Sequence, residues 1–283
     1  MFWDYYKNGG KYETLSLYSL SNNGIKPDTA PETDLVDAVG LNYAEYLNSL
    51  APEDEVVLIG GDGTLNYFIN AVNGAEIKNN IYLLGNGTGN DFLKDIGRQA
   101  GEEVLINPYL SNLPTVYVNG LEQHFINNMG FGIDGYCCEV ADQIKEKSPQ
   151  EKIDYSGIAI KGLLFHFKPC HAEIIVDGVK HEFDHVWIAP TMKGKYYGGG
   201  MKMAPDQDRF SDKLTVVVYH CRSKLKALIA FPSIFKGEHV NKTGIVDIFT
   251  GNEIKVRFSR PCASQIDGET VLNVSEYTAV LPK

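Results

Sequence analysis

No stretch of about 18 uncharged apolar residues occurs anywhere in the chain, and a helix needs roughly that length to cross a bilayer. The start, Met1-Phe2-Trp3-Asp4-Tyr5, lacks a basic segment followed by an apolar one, so neither a span nor a secretion signal is expected. Cysteine is scarce. The five thiols at Cys137, Cys138, Cys170, Cys221 and Cys262 are an odd number without a CxxC pair, which fits neither a disulfide framework nor a zinc site and reads as reduced thiols in a cytoplasmic protein. The vicinal Cys137-Cys138 pair reads as packed thiols. The seven histidines show no HxH or HExxH spacing, so none is assigned a metal. Positive charge is short as well: 26 basic against 36 acidic side chains give a net charge of -10. Such a surface repels polyanions, which excludes a nucleic-acid partner and leaves only a local basic or apolar patch for touching lipid. There is no repeat and no low-complexity segment, although 22–33 is polar and loop-like.

What the chain does have is length for two cores and many glycines. With 283 residues and 43% hydrophobic content, two domains are expected. The 28 glycines cluster in a few places, where the chemistry should be sought. Glu55-Val56-Val57-Leu58-Ile59 reads as a buried parallel strand. Gly60-Gly61-Asp62-Gly63-Thr64 follows at once, and Leu65, Phe68, Ile69 and Val72 then fall at helical spacing up to Gly74. The plan repeats with strand Ile81-Tyr82-Leu83-Leu84, loop Gly85-Asn86-Gly87-Thr88-Gly89-Asn90-Asp91 and a short helix from Phe92 to Ile96 before Gly97. Two such units imply an α/β layer with a parallel sheet. From about Thr115 onward the pattern changes to hairpins with turns at Asn119-Gly120, Asp177-Gly178 and Asp267-Gly268. Strands are also expected at Val186–Ala189, Leu214–Tyr219 and Ile254–Phe258, with helices at Glu139–Lys147, Tyr155–Phe167 and Lys224–Phe235. The fold class is therefore α/β plus β, with a second domain that is antiparallel and β-rich.

The two glycine loops carry the chemistry. Phosphate oxygens need close backbone N–H donors, glycine lets the chain curl around an anion, and a helix N-terminus adds a favourable dipole. Neither loop matches GxxxxGK[ST] or GxGxxG, but the pair, at the ends of neighbouring strands, points to one nucleotide's phosphates held by Gly60, Gly61, Gly63, Gly85, Gly87 and Gly89. Asp62 and Asp91 sit in these loops, and a carboxylate beside polyphosphate requires a hard cation, hence Mg²⁺. Thr64, Asn66, Thr88 and Asn90 either bond phosphate or ribose or cap the helices.

Gly60-Gly61-Asp62-Gly63-Thr64-Leu65-Asn66 followed by Gly87-Thr88-Gly89-Asn90-Asp91-Phe92 resembles the catalytic domain of the bacterial diacylglycerol kinase family, soluble lipid kinases of the superfamily shared with NAD kinases and sphingosine kinases. The likeness continues through 125–134, 196–205 and Asp267-Gly268-Glu269, most of the chain from residue 55 onward. It implies an NAD kinase-like ATP-binding domain over 1–114, to which a strand at about 270–283 returns, and a sandwich-like lipid-substrate domain over 115–269. It implies a lipid kinase using ATP and Mg²⁺. By the resemblance Asp267 is the general base with Glu269 beside it, Lys161 reaches toward the phosphates, and a further Mg²⁺ lies near Asp208 and Asp212. Ser211-Asp212-Lys213 departs from the family's usual Asp-Gly there, and Asn8-Gly9-Gly10-Lys11 stands where the family has its Asn-Pro loop, so that either Lys11 substitutes for the family's basic residue or the loop is altered.

Two rivals predict different behaviour. An NAD kinase would phosphorylate a soluble dinucleotide, and a non-catalytic relative would bind ATP without transferring phosphoryl to anything. The lipid reading places the protein in the cytoplasm and peripherally at a membrane. Phe165-His166-Phe167-Lys168 and Lys193-Gly194-Lys195-Tyr196-Tyr197 mix aromatic and basic residues as a membrane contact would. The identity of the lipid and the oligomeric state are left open, and a homodimer is allowed.

Overall fold

The computed structural model describes residues 15–19, 35–38, 40–87, 89–148 and 153–282. The 8–11 segment, the polar 22–33 stretch and Thr88 lie outside the described residues. Contacts divide the chain into two units, Met1–Gly87 with Ala100–Leu110, and Thr88–Gln99 with Ser111–Lys283.

The first unit is a five-stranded sheet of β1 (Leu15–Ser19), β2 (Leu35–Asp37), β3 (Glu55–Gly60), β4 (Asn80–Gly85) and β5 (Glu103–Leu105) in the order β2-β1-β3-β4-β5. The first four are parallel, but β5 is antiparallel to β4, so the sheet is mixed rather than wholly parallel. β3 is the unbroken apolar run of the sequence, and Val56 to Ile59 are all buried, as a central strand covered on both faces requires. Helix α1 (Tyr43–Ser49) is capped by the Asn42 side chain, and α2 (Asp62–Ala71) buries Leu65, Phe68 and Ile69. Their contact includes Tyr43 edge-on to Phe68 at 5.3 Å.

In the second unit α3 (Asp91–Asp95) precedes a ten-stranded sheet. Its strands are β6 (Thr115–Val118), β7 (Leu121–His124), β8 (Asn128–Phe131), β9 (Cys170–Val176), β10 (Val179–Ile188), β11 (Thr191–Met192), β12 (Leu214–His220), β13 (Val246–Gly251), β14 (Glu253–Ile266) and β15 (Glu269–Val280). The three turn dipeptides behave as read: Asn119, Asp177 and Asp267 have φ of 48°, 48° and 47°, each followed by a positive-φ glycine. β14 is long enough to serve two neighbours, since Ile254–Phe258 pairs with β9 while Ser264–Ile266 pairs with β8. This double pairing folds the sheet back on itself. The strand at 269–280, expected to return to the α/β sheet, instead pairs with β14 and β6. Its hydrogen bonds continue the Asp267-Gly268 hairpin, a local closure that a return to the first sheet would have to break.

β12 explains how the unit holds two cores. Leu214, Val216 and Val218 join the core between the sheet's inner faces, whereas Val217 and Tyr219 join a second core under the helices α4 (Ile133–Lys147), α5 (Tyr155–Lys161) and α6 (Lys224–Ala230). The second core is centred on the buried Trp187, whose Nε1 donates to Cys221 O at 2.9 Å. α5 passes into a π turn at Gly162–His166 and α6 into a 3₁₀ turn at Phe231–Lys236, so both expected helices are shorter than their apolar patterns. Burial pushes the Cys137 and Cys262 thiols up to about 12, which keeps them protonated and inert. Among the described residues no helix is long and apolar enough to cross a membrane.

Candidate active site

In the first unit the sheet brings the two glycine turns together. Gly60 and Gly85, the last residues of β3 and β4, are register partners, and Asn86 donates its N–H to Gly60 O at 2.9 Å. Gly85 O in turn accepts the Gly101 N–H at 2.9 Å. The first motif is less of a loop than its glycines suggest: Gly61 is the extended cap of α2, and Asp62, Gly63, Thr64, Leu65 and Asn66 are already helix. Gly60 is required because Thr64 folds back onto it, so a Cβ there would lie 2.0 Å from Thr64 Oγ1 and 2.5 Å from Thr64 Cβ. That contact turns Thr64 toward the strand end. Asn66 is buried and receives the Asn70 Nδ2 on its carbonyl oxygen at 2.9 Å. Asp62 is left in the first turn, beside the positive end of the helix, where an anion is stabilised. In the second motif Gly87 lies at a bend and Gly89 is exposed. Asn90 caps α3 in the left-handed region at φ 45°.

The second unit builds a polar network around the Asp267 turn. The carboxylate of Asp267 accepts three backbone N–H bonds, from Ile126 at 2.6 Å on one oxygen and from Asn127 and Asn128 at 2.8 and 2.9 Å on the other. Its own N–H donates to Asn128 O at 3.0 Å. Asn127 leads onward, because Arg209 donates through Nη2 to Asn127 Oδ1 at 2.9 Å and through Nη1 to Ile126 O. The same guanidinium donates through Nε to Asp95 at 2.7 Å and stacks on Phe92 at 4.8 Å. Helix α3 is held further by Asp91, nearly fully buried, whose Oδ2 accepts the Gly199 N–H at 2.8 Å, and by Lys94 lying over the Tyr196 ring at 4.8 Å. The Asp267 turn and the helix that ends the second glycine motif are thus tied through one arginine.

From the other side, Gln265 accepts the Gly268 N–H at 2.7 Å and reaches Asp134 Oδ2 at 3.5 Å. Glycines allow this approach. A Cβ on Gly130 would fall 1.8 Å from Asp134 Oδ2, and one on Gly132 would fall 2.4 Å from Trp187 O. Burial raises the Asp134 carboxyl to about 6, against the opposing pull of the Gly135 N–H and Gln265. Between its ordinary 3.8 and about 6 the folded chain binds a proton that the unfolded chain does not. The stabilisation from this group is therefore complete below the lower value and lost as pH rises through the higher one, a penalty of about 3 kcal/mol above it. Asp134→Asn is expected to melt above the parent at about pH 8 and to approach it near pH 4, checked by melting curves across pH; equal offsets at both ends would contradict the assignment.

The remaining expected residues are more scattered. Glu269 is exposed at the start of β15, and Lys161 is exposed at the end of α5. Lys193 and Tyr197 are buried, so that segment is core and not a membrane contact, whereas Phe165 is 74% exposed. Asp208 Oδ1 accepts the Phe210 N–H at 2.9 Å, and Asp212 is exposed. Among the described residues the only group that gathers three metal-type ligands is His171, Glu173 and Glu182, and Lys180 already bridges its two glutamates at 3.0 and 2.9 Å. The sequence alone assigns no role to Asn127, Asp134, Gln265, Arg209 or Asp95. The signal available was polar residues within otherwise apolar strand context, Asn127 and Gln265 above all.

Comparison with known proteins places the chain in a family. Residues 127–283 match the family described as the YegS C-terminal NAD kinase beta sandwich-like domain, and residues 22–111 match the diacylglycerol kinase catalytic domain. A diacylglycerol kinase of Mycobacterium tuberculosis (strain ATCC 25618 / H37Rv) is 26% identical over 220 residues, covering 73% of this chain and 70% of its own. A diacylglycerol kinase of Bacillus subtilis (strain 168) is 25% identical over 266 residues, covering 92% and 84%. The crystal structure of a diacylglycerol kinase from Bacillus anthracis str. Sterne superimposes with a TM-score of 0.63 at 19% identity, covering 96% of this chain and 95% of that one.

Proposed function

The chain belongs to the diacylglycerol kinase and YegS-like lipid kinase family and is a lipid kinase, and from that premise we propose that it transfers the γ-phosphoryl group of ATP to the free hydroxyl of a diacylglycerol. The observation that carries the nucleotide half of this reading is the register pairing of Gly60 with Gly85, which sets two glycine turns side by side at the carboxyl edge of the parallel strands. The names of the relatives support the acceptor half. Asp62 in the first turn of α2 would hold the Mg²⁺ that accompanies the nucleotide, which would offset the charge of the phosphates. Asp91 is assigned a holding role, since its Oδ2 is engaged by Gly199.

The transfer is in-line: the lipid oxygen bonds to the γ-phosphorus as the bond to the β-bridging oxygen breaks, ADP leaves, and the hydroxyl proton passes to a carboxylate. Sequence resemblance favours Asp267 as that carboxylate. Three of the roughly four lone-pair positions of its carboxylate carry backbone N–H donors, so we assign Asp267 to fixing the turn and the exposed Glu269 to taking the proton. Lys161 is assigned to neutralising charge on the transferring group.

The acceptor lies in a membrane, and the second unit offers a surface for it. Leu225 and Ile229 on α6 are 66% and 70% exposed beside the 74% exposed Phe165, and Lys224 Nζ joins the two elements by donating to Leu164 O at 3.0 Å. Lys161, Lys168 and Lys226 add positive charge to an otherwise acidic chain, the combination that binds anionic lipid. Replacing Leu225 and Ile229 by serine should release the protein from phosphatidylglycerol vesicles while leaving phosphorylation of a short-chain, water-dispersed diacylglycerol intact. Loss of both activities together would contradict this surface. The function itself is tested with labelled ATP, Mg²⁺ and a panel of lipid alcohols beside NAD: label in diacylglycerol is expected, and label in NAD with none in any lipid would overturn the reading.

A further inference from the structure

We propose that the ammonium of Lys193 is the resident cation of the 206–213 turn, so that this chain holds the segment together without a divalent metal. Family resemblance places a Mg²⁺ near Asp208 and Asp212, and the donor set of the turn does not fit one. A hard cation there would need six or more oxygens, drawn from the exposed carboxylates and from main-chain carbonyls. Three of those carbonyls are already engaged, and the turn's carboxylates do not gather into a three-ligand group among the described residues. Ser211 O accepts Lys193 Nζ at 3.2 Å, Asp208 O accepts Gln207 Nε2 at 2.8 Å and the Ser211 N–H at 3.0 Å, and Lys213 O accepts Gln207 Nε2 at 3.0 Å. One oxygen of Asp208 is engaged by the Phe210 N–H at 2.9 Å.

Lys193 is 2% exposed, an unusual place for an ammonium unless it is paired. Its burial lowers its proton affinity, to about 8, with neighbouring Arg209 adding to that effect and Asp208 and Asp212 opposing it. The two acids expected to hold a metal thus favour the ammonium electrostatically, while its described hydrogen bond goes to Ser211 O at 3.2 Å. A divalent ion placed among them would also face that ammonium, a repulsion that the exposed acids would have to outweigh. The backbone of Lys193 is anchored independently, its N–H and that of Gly194 both donating to Asn127 O, at 2.8 and 3.1 Å. The ammonium thus reaches from a fixed strand end into the turn.

The consequence reaches the site. The turn carries Arg209, whose three described hydrogen bonds join Asp95 of α3 to Ile126 and Asn127 beneath Asp267. Lys193 is in this sense a positioning residue: it acts by shaping the turn that aims the arginine. Any requirement of the enzyme for Mg²⁺ then belongs to the nucleotide, not to the fold.

The test needs no substrate. Nucleotide-free wild type is freed of metal with EDTA, its metal content is read by elemental analysis, and its melting temperature is compared in EDTA and in MgCl₂ or CaCl₂, beside Lys193→Asn, which exchanges the ammonium for a neutral oxygen ligand. Expected are a metal-free wild type whose Tm is the same in both buffers, and a variant whose Tm drops by several degrees in EDTA and is raised again by the divalent ion. Retention of one equivalent of divalent metal by wild type, or a fall of its Tm in EDTA, would overturn the proposal. So would a variant as stable as wild type in EDTA, or one destabilised and insensitive to metal. Should the variant not fold under any condition, the two wild-type measurements decide the matter alone.

Discussion

Asp267→Ala is expected to abolish detectable phosphorylation and to destabilise the second unit by about 3–5 kcal/mol, because three backbone N–H groups lose their acceptor in one step. For a chain of this size that corresponds to a fall in Tm of roughly 10 °C. The carbonyls of the same stretch hold Arg209, the Lys193 N–H and the Asp267 N–H, so its displacement would disturb those bonds as well. Asp267→Asn should behave almost as badly. An amide in place of the carboxylate turns one acceptor oxygen into a donor facing donors, so loss of activity in that variant says nothing about proton transfer. Glu269→Gln separates the roles. It should lower kcat by about 10²–10⁴ with Tm unchanged, and an active Glu269→Gln beside an inactive but fully stable Asp267→Asn would return the base assignment to Asp267.

Gly135→Ala is expected to be among the most damaging single methyl additions at the described glycines. A Cβ at this position would lie 2.1 Å from Ala263 O, 2.3 Å from Ala263 C and 2.5 Å from Ser264 Cα, all backbone atoms of β14 that have no rotamer to change. α4 would have to withdraw from the strand, opening the core around Ile133 and Trp187 and pulling Asp134 away from Gln265. The expected cost is about 3–5 kcal/mol together with loss of activity. Gly74→Ala is the control: it has φ 78° and open space around its Cβ direction, so only the left-handed backbone is strained, about 1 kcal/mol. Urea titrations of both variants check the contrast, and similar midpoints would contradict the role given to Gly135.

Much of this structure could be read from the chain because the informative signals are local. Asn119-Gly120, Asp177-Gly178 and Asp267-Gly268 demand positive φ at adjacent residues, and few backbones other than tight hairpins supply it. The apolar run before Gly60 and the helical spacing after it fixed a strand and a helix in immediate succession. What stayed hidden depends on contacts distant in sequence. Whether residues 270–283 return to the first sheet or stay with β14 is a choice between two partners for the same alternating pattern, and nothing local decides it. Lys193 reads as a surface residue on propensity, and only the approach of the 206–213 turn makes it a buried one. Arg209 likewise sits in a run of charged residues whose neighbours Asp206 and Asp208 are exposed, so its burial against Phe92 and Asp95 had no sequence signature.

The proposed nucleotide site requires that the turns ending β3 and β4 cradle one triphosphate. The most direct test labels the glycines with ¹⁵N and follows their amide signals as ATP, Mg²⁺ and then adenosine alone are added. Gly61, Gly63, Gly85, Gly87 and Gly89 are expected to shift together with MgATP and to saturate at one common affinity, while adenosine leaves them nearly unmoved. Shifts confined to one of the two turns, or centred on glycines of the β-rich unit such as Gly178 and Gly251, would contradict it.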